Sequence, residues 1–392
     1  MRLAYLVFAA CLSGGTAAAA VAQDQSGPPS GKSPGWYFQP NFFHEPAQKP
    51  AGAGVPVDNS VPLCVHAPIC DRKGGPTRLK LQRLEWQQTM DYTYAYPVKL
   101  PFGGGVPAVG IDSNGNLWVL QRNAPGQPQL SEFGPDRKLI RTIGDDVIGH
   151  LLKAHGMAID RDDNVWISDA NGATVEEVSP DGKLLKTIGV KGHRGDWNEA
   201  SGQRFLWQPV SIAAASDGDI YIGEGHGNES PNDVDSDDPT NIIGAARVIH
   251  LGKDGHFINQ WYGNEVGQGK FSMVHGLAVD PKTGDIWIGD REQYRLVVYT
   301  TNGKFVRTIQ LRNLTCAVAF DPHGNLWIAS GEDGQVLKLD RDGTVLGAVG
   351  KGSGRGLGWF HETNYLAWDK ATNMYTGDTS IGPVTEFVAP KH

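Results

Sequence analysis

The chain has 392 residues, 40% hydrophobic and 20% charged, with 35 basic against 43 acidic side chains. That composition buries a core rather than staying disordered, and a net charge of −8 with no basic block argues against nucleic acid and anionic membrane surfaces as partners. The 51 glycines and 11 tryptophans point to many tight turns between aromatic-rich strands.

Residues 1–22 read as an export leader. Arg2 supplies the positive start, Leu3–Leu12 the apolar stretch, and Ala20-Val21-Ala22 a small-x-small cleavage site before Gln23. A periplasmic or secreted protein is therefore expected, with lipidation at Cys11 as the alternative. No run elsewhere is long and apolar enough for a membrane span. Residues 23–78, rich in Pro, Gly, Ser and Ala, read as an extended arm. In it Cys64 and Cys70 enclose a short loop that an oxidising compartment would allow to close as a disulfide, whereas Cys316 is expected as a small buried residue.

From residue 79 onward one pattern recurs: apolar–x–apolar–Asp, a polar turn, an apolar–aromatic–apolar strand, then a small residue and usually an acid. Its copies start at Val109, Met157, Ile212, Leu277, Val318 and Leu366, and their aromatics are Trp118, Trp166, Tyr221, Trp287, Trp327 and Tyr375. The spacing of 41 to 65 residues is that of propeller blades with insertions. Asp181-Gly182, Asp254-Gly255, Asn302-Gly303 and Asp342-Gly343 mark a second hairpin in the repeats. The expectation is an all-β, six-bladed propeller over residues 79–392, with the six aromatics as core between blades. The last copy stops after Val384–Val388, one strand short. A strand within Leu79–Trp86 is expected to complete that blade and close the ring.

In such a ring the innermost strand of each blade runs down the channel and the second runs back, so the start of one and the end of the other meet at the channel mouth. Five residues before the repeat Asp stand Pro107, His155, His275, Cys316 and Asn364. His155 and His275 come from alternate blades. Asn364 would add a third ligand about 120° away, with His361 as its out-of-register substitute. A lone histidine there is usually structural, but two in equivalent positions point to a divalent metal. Imidazole suits zinc, and calcium is the alternative ion. At the ends of the second strands stand Arg122, His226 and Arg291. The arginines are expected to face solvent at the mouth and hold a substrate carboxylate, while His226 would move a proton. Two insertions border this face, 190–208 and 229–241. The second carries Asp233, Asp235, Asp237 and Asp238 but lacks the glycine and final glutamate of a calcium loop, so a solvated flap is expected.

His155-Gly156-Met157-Ala158-Ile159-Asp160 and His275-Gly276-Leu277-Ala278-Val279-Asp280 resemble NHL repeats. From about Val106 to Val388, and best from Pro209 to Ile309, the chain further resembles the six-bladed catalytic domain of peptidyl-α-hydroxyglycine α-amidating lyase. That family cleaves the C–N bond of a peptidyl-α-hydroxyglycine, giving an amide and glyoxylate. It uses zinc on three histidines, arginines near the substrate and a tyrosine at the metal. The resemblance implies that His155 and His275 are zinc ligands and that Arg122 and Arg291 are the active-site arginines. Its tyrosine position carries His226 here, and its third histidine position carries Asn364. The expected function is an exported metal-dependent lyase acting on a small or peptide-like substrate with a carboxylate or an activated C–O or C–N bond. The alternatives are a lactonase-like hydrolase, whose ion usually sits on carboxylate and Asn ligands, and a non-catalytic NHL propeller that binds a protein partner.

Overall fold

The computed structural model describes residue 88 and residues 90–226, 229–230, 233–235, 246–263, 271, 273–311, 313–380 and 382–390. The expected leader, the arm, the Cys64–Cys70 pair and the segment 79–86 lie outside the described residues.

Six four-stranded antiparallel sheets form the ring. Strands a to d of blade 1 are Ala108–Ile111, Leu117–Leu120, Leu130–Phe133 and Leu139–Ile143. Those of blade 2 are Ala154–Ile159, Val165–Asp169, Thr174–Val178 and Leu184–Gly189. Blade 3 has Pro209–Ala214, Ile220–Glu224, Arg247–Leu251 and Phe257–Tyr262. Blade 4 has Gly276–Val279, Ile286–Asp290, Arg295–Tyr299 and Phe305–Gln310. Blade 5 has Ala317–Phe320, Leu326–Ser330, Gln335–Leu339 and Val345–Val349. Blade 6 has Thr363–Trp368, Met374–Asp378 and Val384–Val388, and its strand d is Thr93–Ala95 from the start of the domain.

The ring thus closes with an N-terminal strand, but not the expected one. Thr93 pairs with Val388 and Ala95 with Glu386. Tyr92 and Tyr94, alternating onto one face, set their rings edge-on to Phe387 at 6.5 and 5.4 Å. A three-residue strand carries too little alternation to stand out in a sequence, and these two aromatics are its only signal.

The repeat Asp explains why the pattern is so regular. Asp160 accepts the backbone N–H groups of Asp162 and Asn164 through one oxygen, and the Asn164 amide and the Trp166 indole through the other. Asp112 and Asp321 do the same for Trp118 and Trp327, and Asp369 takes the Tyr375 hydroxyl. One carboxylate therefore shapes the a–b turn and satisfies the polar edge of the ring that packs between blades. Trp118, Trp166, Trp287 and Trp327 are fully buried. Blades 3 and 4 depart from the rule: Ala215 stands in place of the Asp in blade 3, and in blade 4 Arg341 takes Asp280 with two donors, at 2.7 and 2.8 Å.

The insertion at 190–208 is ordered around a small hairpin, Trp197–Asn198 with Gln203–Arg204. In the second insertion, Glu229–Ser230 pairs with Asp233–Asp235.

Candidate metal centre

The last residue of strand b is an acid in four blades, and it fixes the chain entering strand a. Asp169, fully buried, accepts N–H groups from Leu152 and Lys153, both at 2.8 Å, and from Gly172 at 2.9 Å. Asp290 accepts from Met273, Glu224 from Trp207, and Asp378 from His361 and Glu362. Charge-assisted bonds of this kind hold the backbone two to three residues ahead of His155 and His275. The glycine after each histidine answers a different need. A side chain at Gly156 would stand 2.4 Å from the Tyr365 hydroxyl, and one at Gly276 2.8 Å from the Val318 nitrogen, because the inner strands converge on the channel.

Three imidazoles meet there. His155 starts blade 2, His275 immediately precedes strand a of blade 4, and His226 lies two residues beyond strand b of blade 3. Their ring centroids are 4.8, 5.0 and 5.0 Å apart, and one donor atom from each lies within 4.8 Å of the others. All three are buried. His155 Nδ1 bonds the Val210 carbonyl at 2.8 Å, and His275 Nδ1 bonds the Cys316 carbonyl at 2.7 Å. A carbonyl only accepts, so both rings carry their proton on Nδ1 and present Nε2 as a lone pair. Each acceptor belongs to the following blade, so these bonds also tie blade 2 to blade 3 and blade 4 to blade 5.

Burial holds all three imidazoles well below the usual histidine range, and nearby cations add to it. Arg122 acts on His155 and His275, Arg291 on His226 and His275, and Lys153 on all three. Neutral imidazole is the form that binds a metal. His155 Nε2 is buried with no hydrogen-bond partner among the described residues, which is costly for a polar atom unless something else takes its lone pair. Tetrahedral zinc with bonds of about 2.1 Å needs donors about 3.4 Å apart, so a modest contraction of the cluster would accommodate the ion.

Of the other expected residues, Arg291 and Arg122 lie beside this cluster. Arg291 is not the solvent-facing residue expected but 1% exposed, and its Nη1 donates to His275 Nε2 at 2.7 Å. Arg122 spends Nε on the Ala154 carbonyl, 2.9 Å away. Asn364 and His361 belong to blade 6 and are buried, and His361 is not one of the clustered imidazoles. Asn364 Oδ1 has no hydrogen-bond partner among the described residues. Sequence reasoning missed Lys153, Glu362 and Tyr365. The Tyr365 hydroxyl crosses from blade 6 to lie 3.3 Å from both the Val210 carbonyl and the Ile212 nitrogen of blade 3. It thus bridges two blades across the ring and lines an apolar cavity of about 170 Å³. Burial pushes its phenol well above the usual range, so it stays protonated. The expected Cys316 is buried and unbridged, and it contributes its carbonyl to His275.

The NHL repeat model matches residues 271–299, the span that contains His275 and strands a to c of blade 4. Peptidyl-glycine alpha-amidating monooxygenase of Mus musculus is 27% identical over 235 residues, which is 53% of this chain and 22% of the mouse protein. Peptidyl-alpha-hydroxyglycine alpha-amidating lyase 1 of Drosophila melanogaster is 24% identical over 258 residues, covering 58% of this chain and 43% of that one. The chain is an NHL-repeat six-bladed propeller with distant similarity to the amidating lyases. It matches less than half the length of either relative. Among solved structures, a protein provisionally described as a gluconolactonase superposes with a TM-score of 0.53 at 13% identity, covering 78% of this chain and 96% of that one. A protein of unknown function from Bacteroides thetaiotaomicron gives 0.52 at 12% identity, covering 78% and 77%. These two likenesses concern the fold alone.

Proposed function

We propose that His155, His226 and His275 hold a divalent ion, zinc by their all-nitrogen donor set, and that the chain is a metal-dependent lyase for a small carboxylate-bearing substrate. One observation carries this reading. The resemblance to the amidating lyases lacks an imidazole in blade 6, where Asn364 stands, and gains one in blade 3, where His226 stands. Both changes are reconciled if the third ligand has moved between blades, because His226 faces His155 and His275 at 4.8 and 5.0 Å. His226 is then a ligand rather than the proton carrier its register suggests.

The ion, when bound, supplies Lewis acidity at a substrate oxygen. The chain's own residues do the rest. Among the described residues Arg122 spends only Nε, on Ala154, and so keeps its two terminal nitrogens for an anion, and Lys153 adds a second cation acting on the same imidazoles. Together they orient the carboxylate end. Tyr365 shares with His155 the Val210 carbonyl and lines the apolar cavity on its own side. A lactonase-like hydrolase would lean on carboxylate ligands, and the clustered donors here are all imidazoles. The test is turnover of a peptidyl-α-hydroxyglycine, read as glyoxylate release with and without chelator. Chelator-sensitive release that zinc restores supports the reading. Zinc-loaded protein that leaves this substrate and related small α-hydroxy acids untouched excludes it.

A further inference from the structure

Arg291 occupies the lone pair that a metal ion needs from His275. Because Nδ1 of that ring donates to Cys316, Nε2 must accept, and Arg291 Nη1 donates to it at 2.7 Å. The guanidinium is a permanent cation. A divalent ion binding at Nε2 therefore has to replace this hydrogen bond and would stand beside an unmoved positive charge, which opposes its binding.

A receiving group is at hand across the mouth. Glu362 of blade 6 places Oε1 4.0 Å from the same Nη1. Its other oxygen accepts from Thr379 Oγ1 at 2.7 Å and from Ser380 Oγ at 3.2 Å, and its backbone N–H donates to Asp378 at 2.9 Å. Two hydroxyls thus fix Oε2, and Oε1 is the oxygen within reach of the arginine. An arginine–carboxylate bond settles at about 2.8 Å, so a movement of about 1 Å closes the gap.

We propose that Arg291 is a two-position guard of the metal site, held on His275 Nε2 without metal and on Glu362 with it. Glu362 is then a positioning residue: it sets metal affinity by receiving the guanidinium and never touches the ion. Its carboxylate also neutralises the charge that the ion would otherwise face. The inference rests on the metal reading above and adds a coupling which that reading does not require.

The coupling is measured by titrating metal-stripped full chain with Zn²⁺ against a chromophoric chelator, in the parent, Glu362→Gln, Arg291→Ala and the double variant. Glu362→Gln should weaken Zn²⁺ about tenfold, as outer-shell changes do. Arg291→Ala should tighten it, since the competitor is gone. In the Arg291→Ala background, Glu362→Gln should shift affinity by less than about twofold, because the two residues act as one unit. Glu362→Asp, with a shorter reach, should fall between parent and Glu362→Gln, and it keeps the test open if the glutamine variant melts before 37 °C. An equal loss in both backgrounds, or no loss in either, overturns the inference while leaving the metal site standing. A parent chain that binds no Zn²⁺ overturns both.

Discussion

Asp169→Asn tests whether the acid ending strand b of blade 2 positions the site. The native carboxylate is fully buried and takes three backbone N–H groups, Lys153 and Gly172 on Oδ1 and Leu152 on Oδ2. An asparagine keeps one acceptor oxygen, and its least costly orientation leaves that oxygen with Lys153 and Gly172. Its amide nitrogen then faces the Leu152 N–H, donor against donor. One hydrogen bond to a charged acceptor is lost, and the other two weaken, for a cost of about 2–3 kcal/mol. At roughly 2 °C per kcal/mol for a domain of this size, the melting temperature should fall by roughly 4–6 °C. The released segment runs directly into His155, so Zn²⁺ affinity should fall about tenfold as well. Thermal melting and a chelator competition read the two effects separately. A lower melting temperature with unchanged zinc affinity would show that Asp169 supports the blade without placing the imidazole. No change in either would refute the reasoning altogether.

Three further outcomes follow from the same contacts. Glu176 is buried with Oε2 lacking a hydrogen-bond partner among the described residues, and burial pushes its carboxyl up to about 8 from 4.5. The unfolded chain loses this proton first, so stability falls as pH rises from 4.5 toward 8, by about 1.4 kcal/mol per unit. Urea unfolding should therefore show Glu176→Gln gaining on the parent across that window, and a constant difference from pH 4 to 8.5 would count against it. Asp321→Ala removes the acceptor of the His323 and Asn325 N–H groups and of the buried Trp327 indole, and should cost about 2–4 kcal/mol in the same assay; a loss below about 0.5 kcal/mol would contradict the turn argument. Arg122→Lys keeps the charge but loses the planar fork, so KM should rise with kcat little changed, and wild-type kinetics would remove Arg122 from the substrate's contacts.

The ring was legible because its repeat is a physical unit: the Asp bonds the turn and the aromatic, and the strand-ending acid bonds the chain entering strand a. His155 and His275 were legible for the same reason, as they occupy one register in two blades. His226 lies beyond strand b, where blades differ in length, so residue spacing placed it at the mouth but could not set its distance from the other two rings. Register also drew Asn364 toward the metal, since it follows the ring's symmetry, whereas the clustered imidazoles come from three consecutive blades. Lys153 and Glu362 share one register, two residues before His155 and Asn364, but the side chains at that register change from blade to blade, so no pattern singles them out. Their part depends on contacts across the mouth that only the folded ring brings about.

The central claim is that three imidazoles from neighbouring blades form one metal site, and metal content after purification in Zn²⁺ and desalting tests it most directly. The parent should retain one zinc per chain and Asn364→Ala should match it, while His226→Ala and His155→Ala/His275→Ala should retain little. Zinc kept in His226→Ala but lost in Asn364→Ala would contradict the account and return the third ligand to blade 6.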